Sequence, residues 1–580
     1  MESEVNADRP ADLGLDNHRE AWRRLGDEQF DLIVIGGGVV GTGAALDAAT
    51  RGLRVAMIEA RDVASGTSSR SSKMFHGGLR YLEQLEFGLV REALKERELS
   101  LSTLAPHLVK PLPFLFPLTK RIWERPYIAA GMLLYDRMGG AKSVPGQRHV
   151  TRAGALRVAP GLRRDALIGG IRYYDTVVDD ARHTMTLART AAQYGAVVRT
   201  STQVVGFLRE GDRVTGVKLR DSETGETTQA NAHCVINAAG VWTDEVQLLT
   251  GQRGHFKVRA SKGVHIVVPR DRIVSETAII LRTPNSVLFI IPWETHWIIG
   301  TTDTDWNLDL AHPAATRKDI DYLLERVNTE LVTQLTHDDI EGVYAGLRPL
   351  LAGEDESTSA LSREHAVAAV APGLISIAGG KYTTYRVMAA DAVDAAAEFI
   401  PDRVAPSITE RVPLLGADGY FALMNQCEQL GERFGLHPYR IRRLLNRYGS
   451  LLEDVLRIAE DDKSLLRPLG AAPQYLRVEA VYAARSEGAL HVEDTLARRT
   501  RIAIEYSHRG ADCAREVAEL MAPELGWDQA KTDWEVANYC ARVEAEIASQ
   551  LEPDDASADA LRVAAPEVRS EILEPVPAPK

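Results

Sequence analysis

At 580 residues the chain is long enough for roughly two to four domains around a large shared core. Its composition, 45% hydrophobic and 26% charged, is that of a globular protein and excludes collagen-like or low-complexity architectures. The net charge of -13 excludes bulk nucleic-acid binding, which needs a dominant basic face.

The first stretch, "MESEVNADRPADLGLDNHRE", is acidic and polar and lacks the apolar segment of a signal peptide, so residues 1–27 read as a polar N-terminal segment. No window holds the roughly 18 apolar residues of a transmembrane helix, which predicts a chain in solution or at a membrane surface. Cys234, Cys427, Cys513 and Cys540 are scattered without a C-x-x-C pair and read as buried thiols of a reducing compartment. No repeat of solenoid period is found.

The apolar run Phe30 to Ile35 predicts a buried parallel strand. Gly36, Gly38 and Gly41 follow as G-x-G-x-x-G, then an Ala-rich helical stretch and a second strand, Val55 to Ile58, ended by Glu59. Each part has a physical task in dinucleotide binding. Gly36 makes the tight turn, Gly38 lets backbone approach a diphosphate, and Gly41 lets helix and strand pack closely. The diphosphate sits at the helix N-terminus, and Glu59 accepts from ribose hydroxyls. This motif alone does not separate NAD from FAD.

Two later segments favour FAD. "CVINAAGVWTDEV" is a buried strand ending in Ala-Ala-Gly and an aromatic. "LISIAGGKYTTYRVMAADAV" is a strand, the Gly379-Gly380 turn and a helix start with Thr383 and Thr384 as capping hydroxyls. A second helix N-terminus suits an electron-rich flavin pyrimidine. A chain that returns to the cofactor near residues 30–80, 235–245 and 375–385 has a flavoprotein's organisation. From about Val404 apolar residues recur at helical spacing, which predicts a helical C-terminal domain over 404–550. Within it Asp494, Arg498 and Arg499 lie close together on a helix, as an i,i+4 ion pair or an inter-domain contact, the first favoured. Residues 551–580, mixing Asp, Ala and Pro, read as a flexible tail.

Five segments together, "GGGVVGTGAALDAATRGLRVAMIEARDVASGTSSRSSKMFHGGLRYLE", "SKGVHIVVPR", "IIGTTDTD", "YAGLRPL" and "AGGKYTTYR", resemble the FAD-dependent glycerol-3-phosphate dehydrogenases of the D-amino-acid-oxidase-like superfamily. The resemblance runs from about residue 28 to about 545. It implies an α/β plus α+β chain: a glutathione-reductase-type, Rossmann-like FAD domain (about 28–105, 160–255 and 340–400) interleaved with an antiparallel-sheet substrate domain (about 106–159 and 256–339), then an all-α C-terminal domain. The implied reaction is oxidation of sn-glycerol 3-phosphate to dihydroxyacetone phosphate by hydride transfer from C2 to flavin N5, with electrons passed to a membrane quinone. Alternatives on the same motifs are a glycerol-3-phosphate oxidase that makes peroxide, an oxidase of amino or 2-hydroxy acids, and a non-catalytic flavin-binding scaffold.

That chemistry needs forked cations for a phosphate dianion, a base for the hydroxyl proton and positive charge near the flavin pyrimidine. The resemblance implies catalytic roles for His265, Arg348 and Lys381. His265 is the leading proton acceptor, with water or Lys381 as alternatives. Arg80, Tyr81 and Arg363 match substrate-phosphate contacts. Ser71, Ser72 and Lys73 cross beneath the flavin, and Gly77-Gly78 lets backbone pass close to the ring. His76 is undecided, and the turn Thr301 to Asp303 is left outside the catalytic set. No metal is called for.

Between Lys110 and Arg152, eight basic residues face only Glu124 and Asp136, interleaved with "PLPFLFPL", Trp123, Tyr127 and "IAAGMLLY". This basic, aromatic and apolar mixture suits anionic headgroups. With the resemblance it predicts a cytoplasmic protein, peripheral on the inner face of the cell membrane. Oligomeric state, a homodimer included, stays open.

Overall fold

A computed structural model describes residues 11–78, 86–119, 124–139, 143–251, 257–283, 287–351 and 364–569. The strand predicted first, Gln29–Ile35, lies between Val55–Ile58 and Thr227–Asn237 and is parallel to both. Leu32, Ile33 and Val34 are fully buried, because covering helices leave neither face of a parallel strand to water. Leu374–Gly379 extends the sheet in parallel and His365–Ala371 closes its edge antiparallel. Val197–Arg199 pairs at the other side. The helices Val39–Thr50, Asp180–Gln193 and Tyr385–Ala397 share one hydrophobic core over this eight-stranded sheet.

A second, ten-stranded and mostly antiparallel sheet is built around Val258–Pro269. That strand pairs with Gly342–Leu351 from Val258↔Leu351 to Val267↔Gly342, so His265 stands opposite Tyr344, and Ser261 opposite Arg348. The two-residue period separates the faces: Val264, Ile266 and Val268 point into a core with the helix Arg317–Asn328, while Gly263 and His265 face a cavity. Helices from Tyr420 to Ser549 form the C-terminal domain.

The boundaries differ from the sequence-based ones at several points. Met74–Phe75, Gly169–Val178 and Gly342–Leu351 belong to the ten-stranded sheet, although the sequence puts them in the dinucleotide-binding segments. An apolar run announces a strand but not which sheet will pair with it. Within the N-terminal segment, Leu15–Asp27 is a helix that buries Ala21 and Leu25 against the first sheet. The expected flexible tail contains the helix Asp555–Ala564, and beyond it Val568 and Arg569 are buried. "PLPFLFPL" is a core strand with Phe114 and Leu118 fully buried, not a membrane-facing segment.

Candidate active site

One cavity of about 1080 Å³ runs from the glycine-rich turn to the substrate-facing side of the ten-stranded sheet. At its dinucleotide end Gly36 adopts φ +112°, and a Cβ there would come within 2.6 Å of the Ala238 carbonyl oxygen. Gly41 lies one turn into the helix, where a Cβ would sit 1.9 Å from the Gly36 carbonyl oxygen. Helix and strand can therefore approach this closely only without side chains. Gly38 and Val39 at the helix start face the cavity, where the helix dipole favours a diphosphate, and the Val39 N–H donates to Ser68 Oγ at 2.9 Å.

The Glu59 carboxylate spans two backbone donors, Gly37 N–H at 2.6 Å and Arg61 N–H at 2.8 Å. Burial pushes its pKa up, and the two N–H bonds oppose the shift. The carboxylate is thus fixed at the strand end, facing the cavity beside Thr202 and Trp242. This glycine cradle, oriented acid and long cavity fit FAD, which Gly36, Gly38, Glu59, Ser71, Ser72, Gly379 and Gly380 would line.

Lys73 and Thr383 take other roles than expected. Lys73 is wholly buried, its Nζ 2.8 Å from Asp180 and 3.0 Å from the Ser69 carbonyl oxygen. Asp180 also accepts from Ser71 Oγ at 2.7 Å and pairs with Arg501 of the helical domain, so Lys73 braces the loop from behind. Thr383 does not cap a helix with its hydroxyl. Its Oγ1 accepts from His76 N–H and donates to the His76 carbonyl, both at 3.2 Å, which pins the loop to the second helix start. Gly77 packs on Leu94 and Tyr135 and donates to the Tyr135 hydroxyl at 2.8 Å instead of lining the cavity. His76 does line it.

At the far end His265, Arg348 and Lys381 face the same cavity. His265 is 3% exposed, stacks on Tyr344 with ring centroids 4.7 Å apart, and has Nε2 2.9 Å from Ser72 Oγ. Among the described residues its Nδ1 is buried without a hydrogen-bond partner. Burial, then Arg348 and Lys73, hold its pKa well below the ordinary value, so the ring is neutral near pH 7.

Arg348 is held by Thr301 Oγ1 and the Thr302 carbonyl at 3.1 Å, and by Ser261 Oγ and Asp303 at 3.3 Å. The turn left outside the catalytic set is therefore the cradle of its guanidinium. Alternation along the strand from His265 back to Gly263 and Ser261 was the available signal for Ser261, whereas nothing local linked Asp303 to Arg348. Arg80, Tyr81 and Arg363 lie outside the described residues.

Asp494 pairs with Arg498 as an i,i+4 contact, and the inter-domain alternative holds as well: Arg498 and Arg499 both reach buried Asp62, at 2.5 and 2.6 Å. All four cysteines are free thiols. In the basic segment Lys110 turns inward to the Pro106 carbonyl and Tyr420, while Leu133 and Leu134 are exposed. Lys120, Arg121, Trp123 and Lys142 lie outside the described residues, as do the side chains of Arg125, Tyr127 and Asp136. Among the described residues no helix is long and apolar enough to cross a membrane.

A dinucleotide cradle opening onto a sheet that presents a neutral histidine and an arginine defines a flavin-dependent oxidoreductase. Comparison with known proteins agrees. Residues 31–386 match the FAD dependent oxidoreductase family and residues 407–532 the C-terminal domain of alpha-glycerophosphate oxidase. Glycerol-3-phosphate dehydrogenase 2 of Mycobacterium tuberculosis is 75% identical over 98% of this chain and 97% of its own. The human mitochondrial glycerol-3-phosphate dehydrogenase is 35% identical over 87% of this chain and 71% of its own. The FAD complex of glycerol-3-phosphate dehydrogenase from Bacillus halodurans superposes with a TM-score of 0.77 at 30% identity, covering 92% of this chain and 98% of that one. The chain belongs to the FAD-dependent glycerol-3-phosphate dehydrogenase family.

Proposed function

We propose that this enzyme oxidises sn-glycerol 3-phosphate to dihydroxyacetone phosphate and passes the electrons to a quinone at a membrane surface. The observation that carries the reading is the register His265↔Tyr344 and Ser261↔Arg348, which sets a neutral base and a fixed cation on adjacent strands facing one cavity. FAD, when bound, supplies at N5 the acceptor for the hydride that leaves C2. The chain's own residues do the rest. The substrate hydroxyl gives its proton to His265, whose depressed pKa leaves the ring unprotonated and whose Nε2 is oriented by Ser72. Arg348 and Lys381 hold the phosphate dianion, and Arg80, Tyr81 and Arg363 are assigned to the same anion. A dianion in the pocket offsets the positive charge that depresses His265, so substrate binding strengthens the base.

Leu133 and Leu134, exposed on the helix Glu124–Gly139, and Phe87 on the neighbouring helix Phe87–Leu99 support the membrane part of the reading. One experiment tests substrate and acceptor together. Glycerol 3-phosphate added anaerobically should bleach the visible flavin absorbance, and a soluble quinone should restore it. Bleaching by an amino acid but not by glycerol 3-phosphate would overturn the substrate. Faster recovery in air with stoichiometric peroxide would overturn the quinone.

A further inference from the structure

The segment after Pro553 falls outside both family-matching regions, which end at 386 and 532, yet it lines the same cavity as the cofactor residues. Its helix, Asp555–Ala564, has one fully buried residue, Ala558, set in a cluster with Val241, Trp306 and Leu347. Ten residues with so little apolar surface do not make a stable isolated helix, so tertiary contacts must hold it. The helix is held on the ten-stranded sheet and on the loop after its strand Thr304–Trp306, and the residues that follow the helix reach the dinucleotide end. Asp555 pairs with Lys262, and Asp559 accepts from Asp309 N–H at 3.2 Å. Glu567 lies 3.2 Å from His312 Nε2 and 3.5 Å from Arg61.

Arg569 completes the path. It is 3% exposed, donates to Ser201 Oγ at 2.8 Å and pairs with fully buried Asp494 at 3.1 Å. Ser201 in turn donates its N–H to the Arg61 carbonyl, and Thr202 donates to the Glu59 carbonyl. The segment thus fastens onto the backbone that carries Glu59. Val563, Ala565, Glu567 and Arg569 form part of the cavity wall beside Glu59 and Arg61.

We propose that residues 555–569 form a strap that closes the dinucleotide end of the cavity over FAD, with Glu567 and Arg569 as its latch. The strap does not take part in substrate oxidation; it sets how fast the cofactor leaves. A short helix held mainly by polar contacts opens at lower free energy than the sheets it lies on, which makes opening of the strap the route of FAD release. The inference rests on FAD occupying this cavity.

The test is the rate of FAD release from holoenzyme, followed by the rise of free-flavin fluorescence, in the parent chain, in Glu567→Gln/Arg569→Met, and in a chain ending at Pro553. Release about tenfold faster or more in the substituted chain is expected, since loss of one charge-assisted contact already has that size. The shortened chain should release at least as fast. Equal release rates in parent and substituted chain would overturn the strap. If the shortened chain does not fold, the substituted one decides by the same measurement. Hydrogen exchange gives an independent readout: FAD should slow exchange in residues 555–564, and exchange equal with and without FAD would also overturn the proposal. A parent chain that binds no flavin would instead fail the cofactor reading, so the two failures are distinguishable.

Discussion

Asp303→Ala removes the carboxylate from the cradle of Arg348 while leaving both strands and the cofactor end untouched. Asp303 accepts from Arg348 at 3.3 Å and from the Ser261 hydroxyl, which also contacts Arg348 at 3.3 Å. A hydrogen bond to a charged group contributes about 1.5–3 kcal/mol. The 3.3 Å length and the 22% exposure of the Arg348 side chain place this one near the lower end. The expected loss is therefore ~1.5 kcal/mol of transition-state binding, about tenfold in kcat/KM. Thr301 Oγ1 and the Thr302 carbonyl, at 3.1 Å, keep the guanidinium from being lost altogether. Asp303→Asn keeps an acceptor and should recover part of the loss.

The assay is steady-state dye reduction with glycerol 3-phosphate, with flavin content measured beside it. A raised KM at constant kcat means that Arg348 grips the phosphate in the ground state, and a lowered kcat means that it acts on the reacting alcohol. Full flavin content with kcat/KM equal to or above the parent's would refute the reasoning, because Arg348 would then need no carboxylate to hold it.

Two further outcomes follow from the geometry. Gly41→Ala puts a Cβ 1.9 Å from a backbone carbonyl that has no flexible end to move, so the helix must shift off the turn and the purified chain should lack flavin; a full complement of FAD would refute the close packing assigned to this position. The strap anchor should also depend on pH through His491, which lies 2.9 Å from Glu223 and 2.8 Å from Glu535. Burial and Arg569 push the His491 pKa down, but the two carboxylates raise it above its ordinary 6.5 to about 9. A raised folded-state value means that its stabilisation is complete below pH 6.5 and is lost as pH rises through 9. Burial opposes ionisation of Glu223, yet His491 and Arg569 lower its pKa from 4.5 to about 2, so its contribution is complete above pH 4.5 and is lost as pH falls toward 2. The thermal midpoint should fall between pH 6.5 and 9, and His491→Gln should flatten that limb; an unchanged slope in the variant would exclude His491 as its source.

The sequence by itself determined the parts whose physics is local. A turn that only glycine can make, a helix that must approach a strand and an acid at a strand end are all written within the thirty residues around Gly36, and there the structure agrees. Helical periodicity likewise marked the C-terminal domain. His265, Arg348 and Lys381 came from longer motifs, and the fold brings all three to one cavity.

What the tertiary structure alone decided is pairing at a distance. Lys73 was expected beside the flavin, but a lysine shows its destination only when Asp180, more than a hundred residues later, arrives as its buried partner. Thr301 to Asp303 looked like an ordinary turn because the cation it holds lies on another strand. The last helix looked like a tail because its own composition supports no fold. The order of residues 555–569 comes from Lys262, which pairs with the helix, and from His312, Ser201 and Asp494, which hold Glu567 and Arg569 after it, residues distant in sequence that only the folded chain brings together.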